Sequence, residues 1–373
     1  MKIYTNETVL EAARARMRWV FQEFQHVYVG FSGGKDSTVI LNLALEVAED
    51  LKRLPVPVVF LDQEAEWASV IDLVRTTMAD PRVSPRWLQV PFRLFNATSA
   101  DHPWLYCWDP TKEGDWIRPK EPRSIKTNVY GTDRFHKMFM HFLRYHHYTK
   151  SAAYVAGVRC EESPSRMMGL TTVEAYKGVT WGKALDARRG HYTFYPIYDW
   201  SISDVWKAIH AHGWPYTKLY DYMYQYGVPV RQMRVSNLHH ETAVKSLFYC
   251  QEVEAQTWER IQQRLAGINT AGMLAGDFYG PDQLPTMFAS WVEYRDYLLD
   301  HLIEDRTVRA RFAQAFANYD SRYDDPGVRA GLVRVEIATI LVNDIDLTKL
   351  RNFGSAHFMD ANTLGSKTVG GAY

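Results

Sequence analysis

The run YVGFSGGKDSTVIL, residues 28–41, constrains this chain more than any other stretch. An apolar segment with strand character closes on Phe31, and Ser32-Gly33-Gly34 follow. Lys35, Asp36 and Ser37 then stand at the mouth of a segment with Ile40, Leu43, Ala44 and Val47 at helical spacing. Strand, glycine turn and helix together make a phosphate-binding arrangement. Glycines let the backbone approach an anion, and the first helical turn offers unpaired N–H groups at the positive end of a dipole. Ser32 and Ser37 add hydroxyls and Lys35 adds a charge, while Asp36 is expected to hold a magnesium ion or to brace the loop. The lysine follows too short a glycine stretch for a Walker loop.

The flanking patterns say what this loop is set into. The spacing predicts strands over 26–31, 56–61, 87–90 and 152–158, and helices over 38–49, 65–78 and 133–148. An N-terminal helix carrying Leu10, Ala13, Met17, Val20, Phe21 and Phe24 precedes them, with Thr5 or Asn6 as its cap. Alternating strands and helices predict an α/β fold, an open and mostly parallel twisted sheet with helices on both faces. Residues 96–132 break the rhythm and read as a long irregular insertion. The expected division is an α/β nucleotide-binding domain over 1–235, a mainly helical domain over 236–350 and a flexible tail over 351–373.

Two more strand ends carry chemistry, because ligands of open α/β sheets lie beyond the carboxyl ends of the strands. After the strand at 56–61 come Asp62 and Glu64, which can hold magnesium, accept hydrogen bonds from adenine or ribose, or simply favour a helix N-terminus. After the strand at 152–158 come Gly157, Arg159, Cys160, Glu162, Ser163 and Arg166. Two arginine forks here suit a second anion site, and a surface ion-pair cluster is the plainer alternative.

The VGFSGGKDS loop resembles the pyrophosphate loop of the adenine-nucleotide alpha-hydrolase superfamily, whose members typically cut ATP between the alpha and beta phosphates. Together with GVRCEESPSR and YPIYDWSISDVW, it is similar to the phosphoadenosine phosphosulfate (PAPS) reductase family. The stretch GWPYTKLYDYMYQYGVPVRQMRVSN narrows the resemblance to a sub-branch with an additional C-terminal domain of unknown function, first described as a regulator of immunoglobulin-binding protein expression. The resemblance implies that Ser32, Gly33, Gly34, Lys35, Asp36 and Ser37 hold phosphates, with Asp62 and Glu64 near the nucleotide. It implies that Gly157, Arg159, Glu162, Ser163 and Arg166 line a second anion site, with Lys35, Asp36, Arg159 and Arg166 as catalytic groups and Asp36 and Asp62 as metal ligands. It also implies that Asp199 closes the pocket and that Tyr220, Arg231, Arg234 and Asn237 cover it. ATP (or PAPS) and Mg²⁺ are the implied cofactors, and a ParB-like protein is an implied partner.

The chain departs from reductases in its thiols. It has three cysteines, Cys107, Cys160 and Cys250, and none lies in the C-terminal segment where reductases of that family place the attacking one. Their number and spacing match no disulfide framework, iron–sulfur cluster or zinc site. The leading expectation is therefore ATP alpha–beta cleavage with adenylation of an unknown acceptor. The alternatives are sulfonucleotide chemistry with an external thiol and a non-catalytic nucleotide sensor. Lys plus Arg equals Asp plus Glu at 43 each, so overall charge says nothing of an anionic partner. Locally, residues 118–150 are rich in basic and aromatic side chains, which fits either a nucleic-acid surface or a solvated helix face over an aromatic core. Trp104, Trp108 and Trp116 either stack on adenine or glue the insertion down. No apolar stretch is long enough to span a bilayer, so a soluble cytoplasmic protein, alone or as an oligomer, is expected.

Overall fold

The computed structural model describes residues 6–99, 102–225, 228–235, 237–240, 250, 253–265, 267–268, 284–285, 287–303, 305–323, 325–341 and 344–354. Thr5 and the part of the expected tail from residue 355 onward lie outside the described residues. The described chain divides into two compact units, one within Met1–Leu94 and Tyr106–Asn237, the other within Phe95–Leu105 and Leu238–Tyr373.

The first unit opens with α1 (Val9–Glu23), whose N-cap is Thr8: its hydroxyl accepts from Glu11 N–H while the Glu11 carboxylate accepts from Thr8 N–H. Then follow β1 (His26–Gly30), α2 (Lys35–Asp50), β2 (Val56–Leu61), α3 (Ala68–Met78) and β3 (Val83–Leu88). After β4 (Phe92–Phe95) and β5 (Trp104–Cys107), which form a separate two-stranded sheet, come α4 (Phe135–His146) and β6 (Ala152–Val155). The remaining elements are α5 (Pro164–Thr171), β7 (Gly182–Asp186), β8 (His191–Phe194), α6 (Ile202–His212) and α7 (Leu219–Gln225).

The main sheet has six strands in the order β3-β2-β1-β6-β8-β7. All neighbours are parallel except β7 against β8. β2 reads as a continuous apolar run because both of its faces are covered, as parallel strands require. The pleat sorts the helices. Tyr28 and Tyr154 are register partners and share a face, where Phe142 and Phe139 of α4 pack edge-on and tilted against them. Val29, Val155 and Phe194 are partners on the opposite face, where Trp19 of α1 and Phe24 just after it meet Phe194. Helices therefore cover both faces, and the strand order reverses between β1 and β6.

The second unit is helical: α8 (Ala255–Arg264), α9 (Trp291–Leu302), α10 (Arg306–Asp320) and α11 (Pro326–Leu341). Leu298, Phe312, Leu332, Ile337 and Ile340 form its core, and Phe95 packs against that core. Ala97 N–H also donates to His239 O within this unit. Among the described residues no helix is long and apolar enough to cross a membrane.

Candidate phosphate-binding site

The strand order reverses between β1 and β6, the place at which open α/β sheets take ligands, and the two segments singled out in the sequence leave the sheet there. The loop after β1 is tightly wound. Gly33 has φ +73°, a left-handed conformation in which a side chain would also run into Val70 at 2.6 Å. Ser37 Oγ donates to Gly34 O and accepts from Ser32 N–H, so the loop is closed by its own hydroxyls. Gly34 caps α2 with no side chain over the helix end, as an anion-binding terminus requires. The first turn of α2 is docked by Tyr220, whose hydroxyl accepts from Lys35 N–H at 3.1 Å.

Gly157 brings the β6 segment against this turn. A Cβ there would lie 2.7 Å from the Asp36 carbonyl and 3.0 Å from Ser37 N. The close approach lets Arg159 reach Asp36, with Nε to Oδ1 at 2.5 Å, while Lys35 Nζ sits 3.1 Å from Oδ2 of the same carboxylate. Arg159 is 5 % exposed, and its remaining contacts run to Glu161 Oε2 at 3.0 Å and Trp200 O at 3.4 Å. Glu162 pairs with Arg166 and stands 3.9 Å from Arg159. Burial pushes the Lys35 ammonium down from the ordinary lysine value, Asp36 pulls it up, and Arg159 and Arg234 push it down again. Desolvation and then Arg234 likewise lower Arg166. Four cations, Lys35, Arg159, Arg166 and Arg234, thus face three carboxylates, Asp36, Glu161 and Glu162. Arg234 is half-buried and makes no ion pair among the described residues.

Several expected site residues take other parts. Asp62 is fully buried, and its two oxygens accept from Glu64 N–H, Arg118, Trp87 Nε1 and Gln89 Nε2. Those donors fill its lone-pair directions, so Asp62 is a brace rather than a metal ligand. Asp36 is likewise enclosed by Lys35 and Arg159, and no group of three or more His, Cys, Asp or Glu among the described residues is arranged to hold an ion. These side chains do not fit a magnesium ion held by the protein. Glu64 is fully buried at φ +64° and accepts from Trp108 N–H at 2.6 Å. Ser163 caps α5 by accepting from Arg166 N–H. Asp199 ties its carboxylate to Arg16 of α1 through two hydrogen bonds at 2.8 and 2.7 Å, a brace between elements in place of the expected pocket closure. Trp108 and Trp116 are buried edge to face at 5.5 Å and hold the insertion together.

Two of the three thiols are taken up by their surroundings. Cys107 donates to Gln63 O, and burial pushes the Cys250 thiol up. Cys160 is part-buried in the turn just after Arg159. A titratable group beside the site escaped the sequence reading: Glu66 is 4 % exposed, and burial followed by the Asp62 charge raises its carboxyl to about 8. Only its place in FLDQEAEW, beside two other acids, could have drawn attention to it.

The phosphoadenosine phosphosulfate reductase domain model matches residues 26–90 and 111–226, and a domain of unknown function, DUF3440, matches 227–352. The chain is 30% identical over 312 residues to the uncharacterized protein YbdN of Escherichia coli K12, covering 79% of this chain and 76% of that one. It is 24% identical over 222 residues to the adenosine 5'-phosphosulfate reductase of Staphylococcus saprophyticus, covering 58% of this chain and 74% of that one. Among solved structures, PAPS reductase from Candida auris aligns at 16% identity and TM-score 0.34, over 64% of this chain and 98% of that one. Candida glabrata FMN adenylyltransferase aligns at 15% identity and TM-score 0.37 over 60% of this chain, which spans 65% of that protein. The chain belongs to the PAPS reductase-like family, in the form that carries DUF3440 after an adenine-nucleotide alpha-hydrolase domain.

Proposed function

We propose that the site between the β1 and β6 loops binds the phosphates of ATP and promotes cleavage between the alpha and beta phosphates, with transfer of AMP to an acceptor. The observation that supports this most is the contact of Arg159 with Asp36 across the seam made by Gly157, which joins the SGGKDS turn to an arginine-bearing segment. In the reaction an acceptor oxyanion attacks the α-phosphorus. The bond to the bridging oxygen breaks, and its electron pair leaves on pyrophosphate. Charge grows on that leaving group, where Lys35, Arg166 and Arg234 supply cations and the N-terminus of α2 supplies its dipole. Arg159, enclosed by carboxylates, is a positioning residue that holds Asp36 and through it Lys35.

The test is pyrophosphate release from ATP. Lys35→Ala and Arg234→Ala are each expected to lower it by about 10²–10³-fold. Release at the unaltered rate in Lys35→Ala overturns the reading. A second reading, sulfonucleotide binding with the thiol supplied by another molecule, draws on the likeness to an adenosine 5'-phosphosulfate reductase and on the state of Cys107 and Cys250, one donating to Gln63 O and the other raised by burial. It predicts that PAPS raises the unfolding temperature more than ATP does.

A further inference from the structure

A second basic site lies away from the phosphate loop. A cavity of about 790 Å³ opens between the chain around Pro91, residues 120–134 and the start of α4. Lys120, Lys126, Arg134, Lys137 and His141 line it, and the only carboxylate in its lining, Asp133, is paired with Arg93 at 2.7 Å. None of these residues belongs to the cluster around Lys35. Like charges gathered in a concavity repel one another, so the arrangement is unfavourable until an anion enters.

The wall is built rather than incidental. Asn128 Nδ2 donates to Pro91 O and Thr132 O, both at 2.8 Å, and its Oδ1 accepts from Tyr130 N–H, which fixes the 128–132 turn. Gly131, at φ +71°, leaves open space where a side chain would stand. The N-cap of α4 is Arg134, which supplies no side-chain cap, so a helix N-terminus also faces this lining. Lys120 is held over the Trp116 ring at 4.6 Å and the Trp108 ring at 5.8 Å. Tyr106, 37 % exposed, adds an aromatic wall.

We infer that this cavity is a binding site for a phosphate-bearing polyanion, either the backbone of a single-stranded nucleic acid or a free polyphosphate. Adjacent phosphates match several lysines and arginines at once, which a single carboxylate would not. The inference stands whether or not the Lys35 loop binds ATP.

The test uses the full chain at low salt with two probes, a labelled single-stranded oligonucleotide and inorganic tripolyphosphate. The variant is Lys126→Glu combined with Lys137→Glu, both exposed, with an unchanged melting curve as the control for folding. The wild type is expected to bind at least one probe, and the variant to bind it about tenfold or more weakly, with the salt slope reduced by about one for each lysine. Affinity that rises with oligonucleotide length identifies a nucleic-acid chain, and equal affinity for tripolyphosphate identifies a free polyphosphate. Lys35→Ala is expected to leave this binding intact. Equal binding by the variant and the wild type, or no binding of either probe by the wild type, overturns the inference.

Discussion

Asp62 shows how far a single residue can be read before its neighbours are known. Its position at the end of β2 was legible, and so was the SGGKDS turn, because both depend on local order along the chain. Its role was not legible. Trp87, Gln89 and Arg118 are 25, 27 and 56 positions away and converge on it only in the folded chain. Asp62→Asn leaves Arg118 without its buried counter-ion, and the side chain of Arg118 is only 12% exposed. The substitution is expected to lower unfolding free energy by about 3–5 kcal/mol, measured by chemical denaturation. Because Asp62 is filled by its donors and Asp36 is paired with Lys35 and Arg159, ATP is expected to raise the unfolding temperature in the presence of EDTA as well. A shift that appears only with added magnesium would contradict this arrangement.

At the scale of elements, the seam between the β1 and β6 loops carries the sharpest test. Gly157→Ala places a methyl group against backbone atoms of Asp36 and Ser37, which cannot swing aside. The expected outcome is a loss of about 1–3 kcal/mol in stability together with weakened nucleotide binding, read by titration calorimetry and melting on the same sample. Element bounds were legible for β2, which runs over Val56–Leu61 as its apolar run predicts, but not for β6, expected over 152–158 and ending at Val155, nor for the interior strand β8, which went unread. They were not legible at the sheet edges. β3 extends over Val83–Leu88, although Pro85 and Arg86 interrupt its apolar pattern, because an edge strand tolerates both. β7, at the other edge, went unrecognised for the same reason, with Lys183 and Ala184 exposed. α2 begins at Lys35, three residues before its expected start at residue 38, since the loop's own residues form its first turn.

For the whole molecule, buried titratable groups set the response to pH. Glu66 has its carboxyl raised from 4.5 to about 8 by burial and by Asp62, so the folded chain holds a proton there that the unfolded chain releases. Its contribution is full below pH 4.5 and is lost as pH rises toward 8. His147 works in the opposite direction: burial and then His26 lower it from 6.5 to about 4, so its contribution is lost as pH falls through that range. Above pH 6.5, of these two groups, only the carboxyl still changes its contribution with pH. Glu336, raised from 4.5 to about 7 by burial, acts in the same direction up to that pH. The urea midpoint is therefore expected to fall from pH 6.5 toward 8, and Glu66→Gln is expected to flatten the part of that limb above pH 7. The helical character of the C-terminal region was legible from its periodicity. The allegiance of residues 95–105 was not, since nothing local in that stretch reports which core Phe95 joins. That allegiance has a practical side. The PAPS reductase model skips residues 91–110, the stretch that contains this segment. A fragment beginning at residue 238 would lack the phenylalanine that plugs its own helical core, and the complementary fragment would display that ring with nowhere to put it. No single snip of the gene can yield both halves whole.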